Sequence, residues 1–354
     1  MISFLNLKPT AFGLDISDLS LKIIQLKKKG RFFDLASFGE TTMKPGIINQ
    51  GEVKNEKDLA ESISKAVREA KGEKIKTKYA VISLPEEKAF LQVIQLPSMT
   101  EEEVKKAVYF EAENYIPLPI ESVYLDSQII SYDRTANKLN VLIAAAPKIM
   151  IDPYLSSLKK AGLQPVVFEI ESQAISRALV EKEMSKEPLL LVDMGANRTS
   201  FIIFSGCSLG FTSTAQVSSQ QFTEAVSKSL KVGLKEAEEL KIKHGIGGDK
   251  EGQKIFEILY PFLIDLITQI KKYLDYCKTH YNQEVKNILL CGGGAGTKGL
   301  IDFLSIYLKL PVKCGNPWTN ILSDQTKEVK QLSHKESLRY TTAIGLALRG
   351  VNHD

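Results

Sequence analysis

The first part of the chain alternates short apolar runs with turn residues. The runs from Phe12 to Ile16, Leu21 to Leu26 and Phe32 to Phe38 have the length and composition typical of strands, and Lys29-Gly30 is a turn signal between the last two. Apolar residues then recur every four positions from Asn55 to Ala70, which predicts an amphipathic helix. The chain is therefore expected to begin as three strands followed by a helix.

A similar β unit recurs in the middle of the chain. Leu189 to Asp193 and Thr199 to Phe204 predict a second pair of apolar strands resembling the first pair, so we expect an internal duplication. The other elements predicted outside residues 86–163 are strands at 79–84, 165–169 and 287–291, and helices at 172–182, 218–231, 234–244, 254–281, 297–308 and 335–349. Strands alternating with helices indicate an α/β fold.

Residues 86–163 follow a different order. Strand, helix, strand, strand and helix succeed one another there, with a capping box at Thr100-Glu101-Glu102-Glu103 and a helix stop at Gly162. We interpret this segment as an inserted subdomain. The length of 354 residues predicts two domains or one two-lobed unit. The expected organisation is a first lobe of 1–85, 164–186 and 335–354, the insert at 86–163, and a second lobe of 187–334.

Composition narrows the classes of function. Hydrophobic residues make up 44% and charged residues 25%, which is typical of a globular protein. The net charge of +4 comes from basic residues interspersed with acids, so no nucleic-acid partner is expected. The one basic run, Lys27-Lys28-Lys29, is interpreted as a hairpin tip, with a membrane-facing or nucleic-acid role as the alternative.

The chain shows no sign of export. Four cysteines, at 207, 277, 291 and 314, form no Cys-x-x-Cys pair, so reduced thiols in a cytosolic protein are expected. The segment from Met1 to Pro9 lacks the apolar core of a signal peptide, and no run of about 18 apolar residues occurs.

Two aspartates carry the candidate chemistry. Asp15 and Asp193 lie at the ends of apolar runs, 178 positions apart. A carboxylate at such a turn can hold waters of a bound Mg²⁺, while nearby hydroxyls and backbone N–H groups cradle phosphate oxygens. We therefore expect the two half-chains to clamp a nucleotide between them. The predicted phosphate and metal residues are Asp15, Ser17, Ser20, Lys22, Asp193, Gly195, Asn197 and Thr199.

A glycine run late in the chain supplies the third element. Gly292, Gly293 and Gly294 follow a predicted strand and precede a predicted helix, which leaves room for a purine and ribose against the backbone. Residues 294–299 also match the G-x-G-x-x-G dinucleotide pattern. That pattern needs an acid about 20 residues further on, and residues 311–322 contain none. The run does not have the spacing of a P-loop.

Three further residues are weaker candidates. Glu238 and Lys241 share one face of a predicted helix, where they could grip the ribose and purine or form a solvated surface pair. Glu171 follows a predicted strand, and it could orient an attacking water or favour a helix N-terminus.

Together these segments resemble the actin/Hsp70/hexokinase ATPase superfamily, and within it the whole chain resembles the PilM family. Further supporting stretches are Ser83-Leu84-Pro85, Gln95-Leu96-Pro97, 110–117 and 343–349. The resemblance implies a duplicated, ribonuclease H-like, two-lobed actin-like fold with a 1C-type α+β insert. It implies that Asp15 and Ser17 form phosphate-1, that Asp193 to Thr199 form phosphate-2, and that Gly292 to Gly294 form the adenosine motif.

The same resemblance implies a cellular function. It implies a cytoplasmic scaffold, peripheral at the inner membrane, that binds ATP and Mg²⁺ in a type IV pilus or related type II secretion-like complex. The implied partner is the cytoplasmic N-terminal tail of a PilN-like membrane protein, held in a groove between subdomains 1A and 1C, and contact with the membrane is implied only through this partner. Pilus motor ATPases and a second copy are further implied partners. Ser17 replaces the family's usual glycine, and slow or absent ATP hydrolysis is expected.

Two alternatives share the fold. An FtsA-like division protein would carry a basic amphipathic helix after a linker, whereas this sequence ends at Asp354, directly after the last predicted helix. A small-molecule kinase would need an acidic base in its substrate cleft. Glu111 and Glu113 are available, but they lie on a predicted helix with ordinary surface spacing.

Overall fold

The computed structural model describes residues 10–134, 136–281, 283–322, 329 and 331–351. The first strands are β1 Phe12–Ile16, β2 Ser20–Lys29, β3 Phe32–Thr42, β4 Ile48–Asn49, β5 Glu52–Val53, β6 Lys71–Gly72, β7 Tyr79–Leu84 and β8 Phe90–Pro97. The later strands are β9 Val123–Asp133, β10 Lys138–Pro147, β11 Gln164–Ile170, β12 Ser185–Met194, β13 Thr199–Gly206, β14 Ser208–Ala215, β15 Asn287–Cys291 and β16 Val312–Cys314. The segments Met1 to Pro9 and 352–354, which entered the sequence expectations, lie outside the described residues.

The helices alternate with these strands along most of the chain. They are α1 Glu56–Glu69, α2 Glu101–Glu111, α3 Lys148–Lys160, α4 Glu171–Leu179, α5 Ser219–Leu230, α6 Leu234–Lys243, α7 Lys250–Tyr281, α8 Leu300–Leu308, α9 His334–Ser337 and α10 Thr341–Val351. Among the described residues, no helix is long and apolar enough to cross a membrane.

The chain divides into two compact units. The first unit holds the described parts of residues 1–174, 321–323 and 342–354, and the second holds those of 175–320 and 324–341. The inserted segment therefore groups with the first unit. The lobe boundaries expected from the sequence remain predictions.

Each unit is built on a sheet with the same strand order. In the first, β3, β2, β1, β7 and β11 are neighbours in that order, and in the second, β14, β13, β12, β15 and β16 repeat it. The first three strands of each set pair antiparallel and the last two add in parallel. Asp15 and Asp193 are the next-to-last residues of β1 and β12, so the duplication expected from the sequence is present.

The insert has its own core. Strands β8, β10 and β9 form an antiparallel sheet whose apolar face packs on Val104 and Val108 of α2. Thr100 and Glu103 form the expected capping box at the start of α2. Helix α3 begins at Lys148, four residues before the predicted start at Asp152, and continues through Pro153, which has no N–H to donate to the preceding turn.

Helix α10 packs very closely against its neighbours in the first unit. A Cβ at Gly345 would lie 1.8 Å from the Ala174 carbonyl oxygen, and one at Gly13 of β1 would lie 2.3 Å from that of Ala343. Real Cβ atoms do not make such contacts, so these glycines are what allow a helix to pack between β1 and α4. The motif at 343–349 is therefore explained by packing.

The sequence expectations also differ from the structure in other elements. The strands β4, β5, β6, β14 and β16 were not predicted, and α7 begins at Lys250, four residues before the predicted start at Lys254. The last predicted helix is divided into α9, a 3₁₀ turn at Leu338–Tyr340 and α10. Asp249 explains the early start of α7, because its carboxylate accepts the backbone N–H of Gly252 and caps the helix.

Candidate nucleotide-binding site

Asp15 is held from both sides within the sheet of the first unit. Its carboxylate is buried, and the Ser83 hydroxyl of β7 donates to Oδ1 over 3.0 Å. The same hydroxyl accepts the N–H of Ile16 over 2.8 Å. On the other side, β2 places Lys22 opposite Asp15, with Nζ 3.6 Å from Oδ2. The carboxylate therefore has a fixed orientation at the end of β1.

The other predicted phosphate-1 residues gather beside it. The Ser17 hydroxyl donates to the Ser20 carbonyl oxygen over 3.0 Å and accepts the Ser20 N–H over 3.3 Å. Lys22 donates to the Ser20 hydroxyl over 3.0 Å. The structure thus brings Asp15, Ser17, Ser20 and Lys22 together in one polar cluster of hydroxyls, a carboxylate and an ammonium.

Ser17 occupies this turn without backbone strain. It is absent from the non-glycine residues with positive φ, so the turn does not require glycine at this position. What the hydroxyl adds is a second tie across the turn, beside the Ser17 N–H bond to the Ser20 carbonyl at 3.0 Å. The Ser17 side chain therefore adds hydrogen bonds within this turn.

Asp18 supports the same turn and was missed in the sequence. Its carboxylate accepts the N–H groups of Gln50 and Gly51, over 3.0 and 2.9 Å, in the turn between β4 and β5. Both turn residues have positive φ, as a tight hairpin requires. The Gly51 carbonyl in turn accepts the hydroxyl of buried Tyr154, on α3. A glycine following a polar residue in Asn49-Gln50-Gly51 was the available signal for this hairpin.

Glu171 is the first residue of α4 and is buried. The backbone N–H of the next residue, Ser172, donates to the carboxylate of buried Glu86 over 3.2 Å. Two carboxylates therefore serve one helix N-terminus, where negative charge is favourable. That placement matches the helix-start reading of Glu171, and its role in orienting water stays a prediction.

In the second unit, Asp193 heads a tight turn. Gly195 donates its N–H to the Arg198 carbonyl over 2.9 Å and accepts the N–H of Ser219, at the start of α5, over 3.0 Å. Asn197 is exposed at the tip. Thr199 is fully buried, and its hydroxyl donates to the Val217 carbonyl over 2.6 Å. The turn is thus fastened to α5, and a phosphate contact by Thr199 stays a prediction.

The glycine run packs directly on this turn. A Cβ at Gly292, where φ is +81°, would lie 2.3 Å from Asp193 Oδ1, and one at Gly294 would lie 2.7 Å from the Met194 side chain. No atom lies within 4 Å of a Cβ placed at Gly293. Two of the three glycines are therefore required by packing, and Gly293 is the one that faces open space.

Cys291 sits between these elements. Its thiol lies 3.6 Å from Asp193 Oδ1. Burial, reinforced by the Asp193 charge, raises the pKa of the Cys291 thiol well above its usual range. The neutral S–H therefore donates to the Asp193 carboxylate.

We expect native alkylation to distinguish this thiol from the exposed ones. At mildly alkaline pH, iodoacetamide should modify exposed Cys207 at least about tenfold faster than buried Cys291, because the thiolate is the reacting species. Peptide mass spectrometry over time measures both rates in one sample. Equal rates would show that the contact between Cys291 and Asp193 is open to solvent.

Lys241 is buried, unlike the surface residue that one reading of the sequence expected. Its ammonium lies 2.8 Å from the hydroxyls of Ser219 and Thr223, 3.0 Å from the Ser219 carbonyl oxygen, and 2.6 Å from Glu238 Oε2. Burial lowers the pKa of Lys241, and Glu238 acts in the opposite direction. The pair therefore joins α6 to α5, and a ligand role for Glu238 and Lys241 stays a prediction.

The segment after α6 contacts the chain just beyond the glycine run. After the helix, Ile246 donates its N–H to the Lys298 carbonyl over 2.9 Å, and a Cβ at Gly245 would lie 2.1 Å from the same oxygen. In the second unit the Asp193 turn therefore contacts both the Gly292–Gly294 run and the start of α5, to which the α6 pair is joined. An adenosine-binding role for these segments stays a prediction.

The predicted magnesium ligands fit an ion that is bound mainly through water. Within the part of the chain that the structure describes, no three His, Cys, Asp or Glu side chains come together as a metal cluster. In its own unit, Asp15 or Asp193 would each supply a single carboxylate. Mg²⁺ commonly combines one or two carboxylates with waters and substrate phosphates, so this donor set suits a nucleotide-bound ion.

Comparison with known proteins shows which family the chain belongs to. The family model described as type IV pilus assembly protein PilM matches residues 13–351. The chain belongs to the PilM family. A solved PilM–PilN type IV pilus biogenesis complex contains a chain 28% identical to this one, with a TM-score of 0.82, covering 97% of this chain and 99% of that one.

More distant relatives share the fold of the PilM family. MreB 5 of Spiroplasma citri, solved with AMPPNP, is 11% identical with a TM-score of 0.54 and covers 97% of this chain and 96% of its own. The actin-like fold expected from the sequence is therefore confirmed. The cell division protein FtsA of Neisseria meningitidis serogroup B is 23% identical over 211 residues, 53% of this chain and 49% of FtsA. The chain thus spans about half the length of the curated relatives it matches.

Proposed function

We propose that this chain is an ATP-binding scaffold of the type IV pilus inner-membrane assembly complex, and that it binds the cytoplasmic N-terminal tail of a PilN-like membrane protein. The observation that carries the proposal is the end-to-end similarity to the solved PilM–PilN complex, together with the family match over residues 13–351. The FtsA similarity covers about half of this chain and supports the shared fold more than a division role.

Nucleotide binding is supported by the two Asp turns. Both aspartates lie at the same place in the duplicated sheets, with hydroxyls and an ammonium beside Asp15 and the open face of Gly293 near Asp193. When bound, Mg-ATP would supply phosphate oxygens that suit the hydroxyls and the ammonium, and a cation that suits the carboxylates. The residues proposed to hold it are those predicted from the sequence.

Thermal unfolding tests the nucleotide claim. At ATP concentrations about 100-fold above the dissociation constant, binding should raise the free energy of unfolding by about 2.7 kcal/mol. The melting temperature of the wild-type chain should therefore rise when Mg-ATP is added and not when AMP at the same ionic strength is added. An unchanged melting temperature across millimolar Mg-ATP would overturn this part of the proposal.

The insert carries apolar side chains where a peptide could dock. Ile149, in the first turn of α3, is 84% exposed, and Tyr124 of β9 is 45% exposed. The Tyr124 hydroxyl donates to Asp152 over 2.9 Å, and Lys148 lies over the Tyr124 ring, which keeps this surface ordered. Helix α3 also joins the insert to α1, through Lys160 and Glu56 at 2.6 Å. Ile149 and Tyr124 therefore form an exposed apolar surface at the start of the helix whose other end contacts α1, and this surface is where the tail is proposed to dock.

We expect Ile149→Asp to weaken binding of the PilN-like tail at least about tenfold, because a carboxylate replaces apolar contact area in the interface. Isothermal titration with a synthetic tail peptide measures the dissociation constant. Phe110→Asp, on α2 of the same insert, is the matched control, since Phe110 is 71% exposed but lies on another helix. Wild-type affinity for Ile149→Asp, or an equal loss for both variants, would remove this surface from the proposal.

A further inference from the structure

Basic side chains in the first unit are concentrated in two segments. Residues 27–31, at the tip of the β2–β3 hairpin, and residues 71–78, from β6 to the start of β7, contain eight of the 46 basic residues and one of the 42 acidic residues. Their net charge is +7, compared with +4 for the whole chain, so the other residues together are slightly acidic. We call these 13 residues the basic surface.

The fold places the two segments side by side, although about 40 residues separate them in the sequence. β3 pairs with β6 through Ser37 and Gly72, and the Glu73 N–H donates to the Ala36 carbonyl over 2.9 Å. Across β3, the Lys27 ammonium lies 2.5 Å from Glu73 Oε1. Neither segment alone is exceptional, and it is this pairing that makes one continuous positive region.

Most of the positive charge on this surface is not neutralised by the protein. Lys27 pairs with Glu73, and Lys29 pairs with Asp34 at 2.8 Å. Among the residues that the structure describes, the remaining six basic groups have no acidic side chain within ion-pair distance; they are Lys28, Arg31, Lys71, Lys74, Lys76 and Lys78. All six are exposed. Such a field attracts an anionic surface more than an isolated anion.

The chemistry of the surface favours lipid over nucleic acid. Seven of the eight cations are lysines, which are compact point charges and are less suited than arginine to bidentate recognition of phosphates and bases. Phe32 stands at the hairpin tip, 44% exposed, directly after Arg31. An exposed aromatic among lysines is the combination that binds the headgroup region of an anionic bilayer. We propose that the basic surface docks on anionic phospholipid headgroups and gives the chain its own contact with the membrane.

Vesicle co-sedimentation of the whole chain tests this directly. The chain should bind vesicles of phosphatidylcholine with about 30% phosphatidylglycerol, and not vesicles of phosphatidylcholine alone. Binding should fall as salt rises from about 0.1 M to 0.5 M, because the Debye length then drops well below 10 Å. The combined variant Lys28→Glu, Lys74→Glu and Lys76→Glu should lower the bound fraction at least about tenfold. Phe32→Ser should weaken binding that persists at the higher salt.

A matched variant separates the position of charge from its amount. Lys228→Glu, Lys235→Glu and Lys271→Glu make the same change in net charge at exposed positions of the second unit. This control should bind vesicles as the wild type does, and both variants should keep the wild-type melting temperature and tail-peptide affinity. Equal loss in both variants, no binding to anionic vesicles, or a tighter salt-sensitive affinity for duplex DNA that the first variant alone loses would each overturn the proposal. Tail-peptide affinity is measured in a separate assay, so failure of the lipid proposal can be distinguished from failure of the proposed scaffold function.

Discussion

Replacing Lys241 by methionine should lower the free energy of unfolding by about 2–3 kcal/mol. Methionine has a similar length but cannot donate to the hydroxyls of Ser219 and Thr223 or to the Glu238 carboxylate. Breaking a buried ion pair by removing one partner costs about 3–5 kcal/mol, and the partial exposure of Glu238 places the effect at the lower end or below. Chemical denaturation followed by circular dichroism measures the change.

Lys243→Met provides the matched comparison. Lys243 lies two positions after Lys241 on the same helix and is exposed. Its replacement should therefore change the free energy of unfolding by less than about 0.5 kcal/mol. If Lys241→Met unfolds like the wild type but loses only Mg-ATP stabilisation, the buried network is not structural. The ammonium would then act mainly on a ligand, contrary to the packing interpretation.

Asp193→Asn should abolish the stabilisation of the chain by Mg-ATP while the unliganded melting temperature changes little. Asparagine keeps the shape that fits against Gly292 and can still accept the Cys291 S–H, but it removes the charge that would hold the waters of Mg²⁺. In the wild-type chain, saturating Mg-ATP should raise the free energy of unfolding by about 2.7 kcal/mol, and in Asp193→Asn this increase should fall towards zero. Thermal unfolding with and without Mg-ATP measures the difference.

Asp275→Asn is the control for this loss. Asp275 is exposed on α7 of the same unit, so its variant should retain the full Mg-ATP gain. If Mg-ATP stabilised Asp193→Asn as much as the wild type, the second Asp turn would not be part of the nucleotide site. A loss in both variants would indicate a general charge effect instead.

The strand pattern was predictable where burial was continuous. β1, β7 and β15 were predicted with their observed bounds, because each is a run of apolar residues closed by a turn or a charged neighbour. β14 was missed, since Ser208–Ala215 contains serines, threonines and a glycine and is half-buried along most of its length. Its position comes from pairing with β13, which a local pattern does not encode.

In the candidate site, too, the residues that are close together in the sequence could be predicted, and those that come from distant segments could not. The Asp15 cluster could be predicted because Asp15, Ser17, Ser20 and Lys22 lie within eight residues of one hairpin. Ser83 and Asp18 were not predicted, since the first reaches Asp15 from a strand 68 residues away and the second acts on a hairpin 32 residues away. The burial of Lys241 depends on α5, whose packing against α6 is not visible in the i, i+3 spacing that suggested a surface pair.

The glycine run illustrates how one pattern can serve two purposes. The sequence suggested that Gly292 to Gly294 leave room for a purine. The structure assigns Gly292 and Gly294 to close packing on Asp193 and Met194, and leaves open space only at Gly293. Gly293 is therefore the position whose substitution reports on the ligand with least effect on the fold.

The proposed scaffold function is tested most directly by isothermal titration of the whole chain with a peptide of the cytoplasmic N-terminus of the PilN-like protein from the same organism. The account predicts saturable one-to-one binding in the presence of Mg-ATP, and none with a scrambled peptide of the same composition. Failure of the native peptide to bind, with or without Mg-ATP, or equal binding of the scrambled peptide, would contradict it.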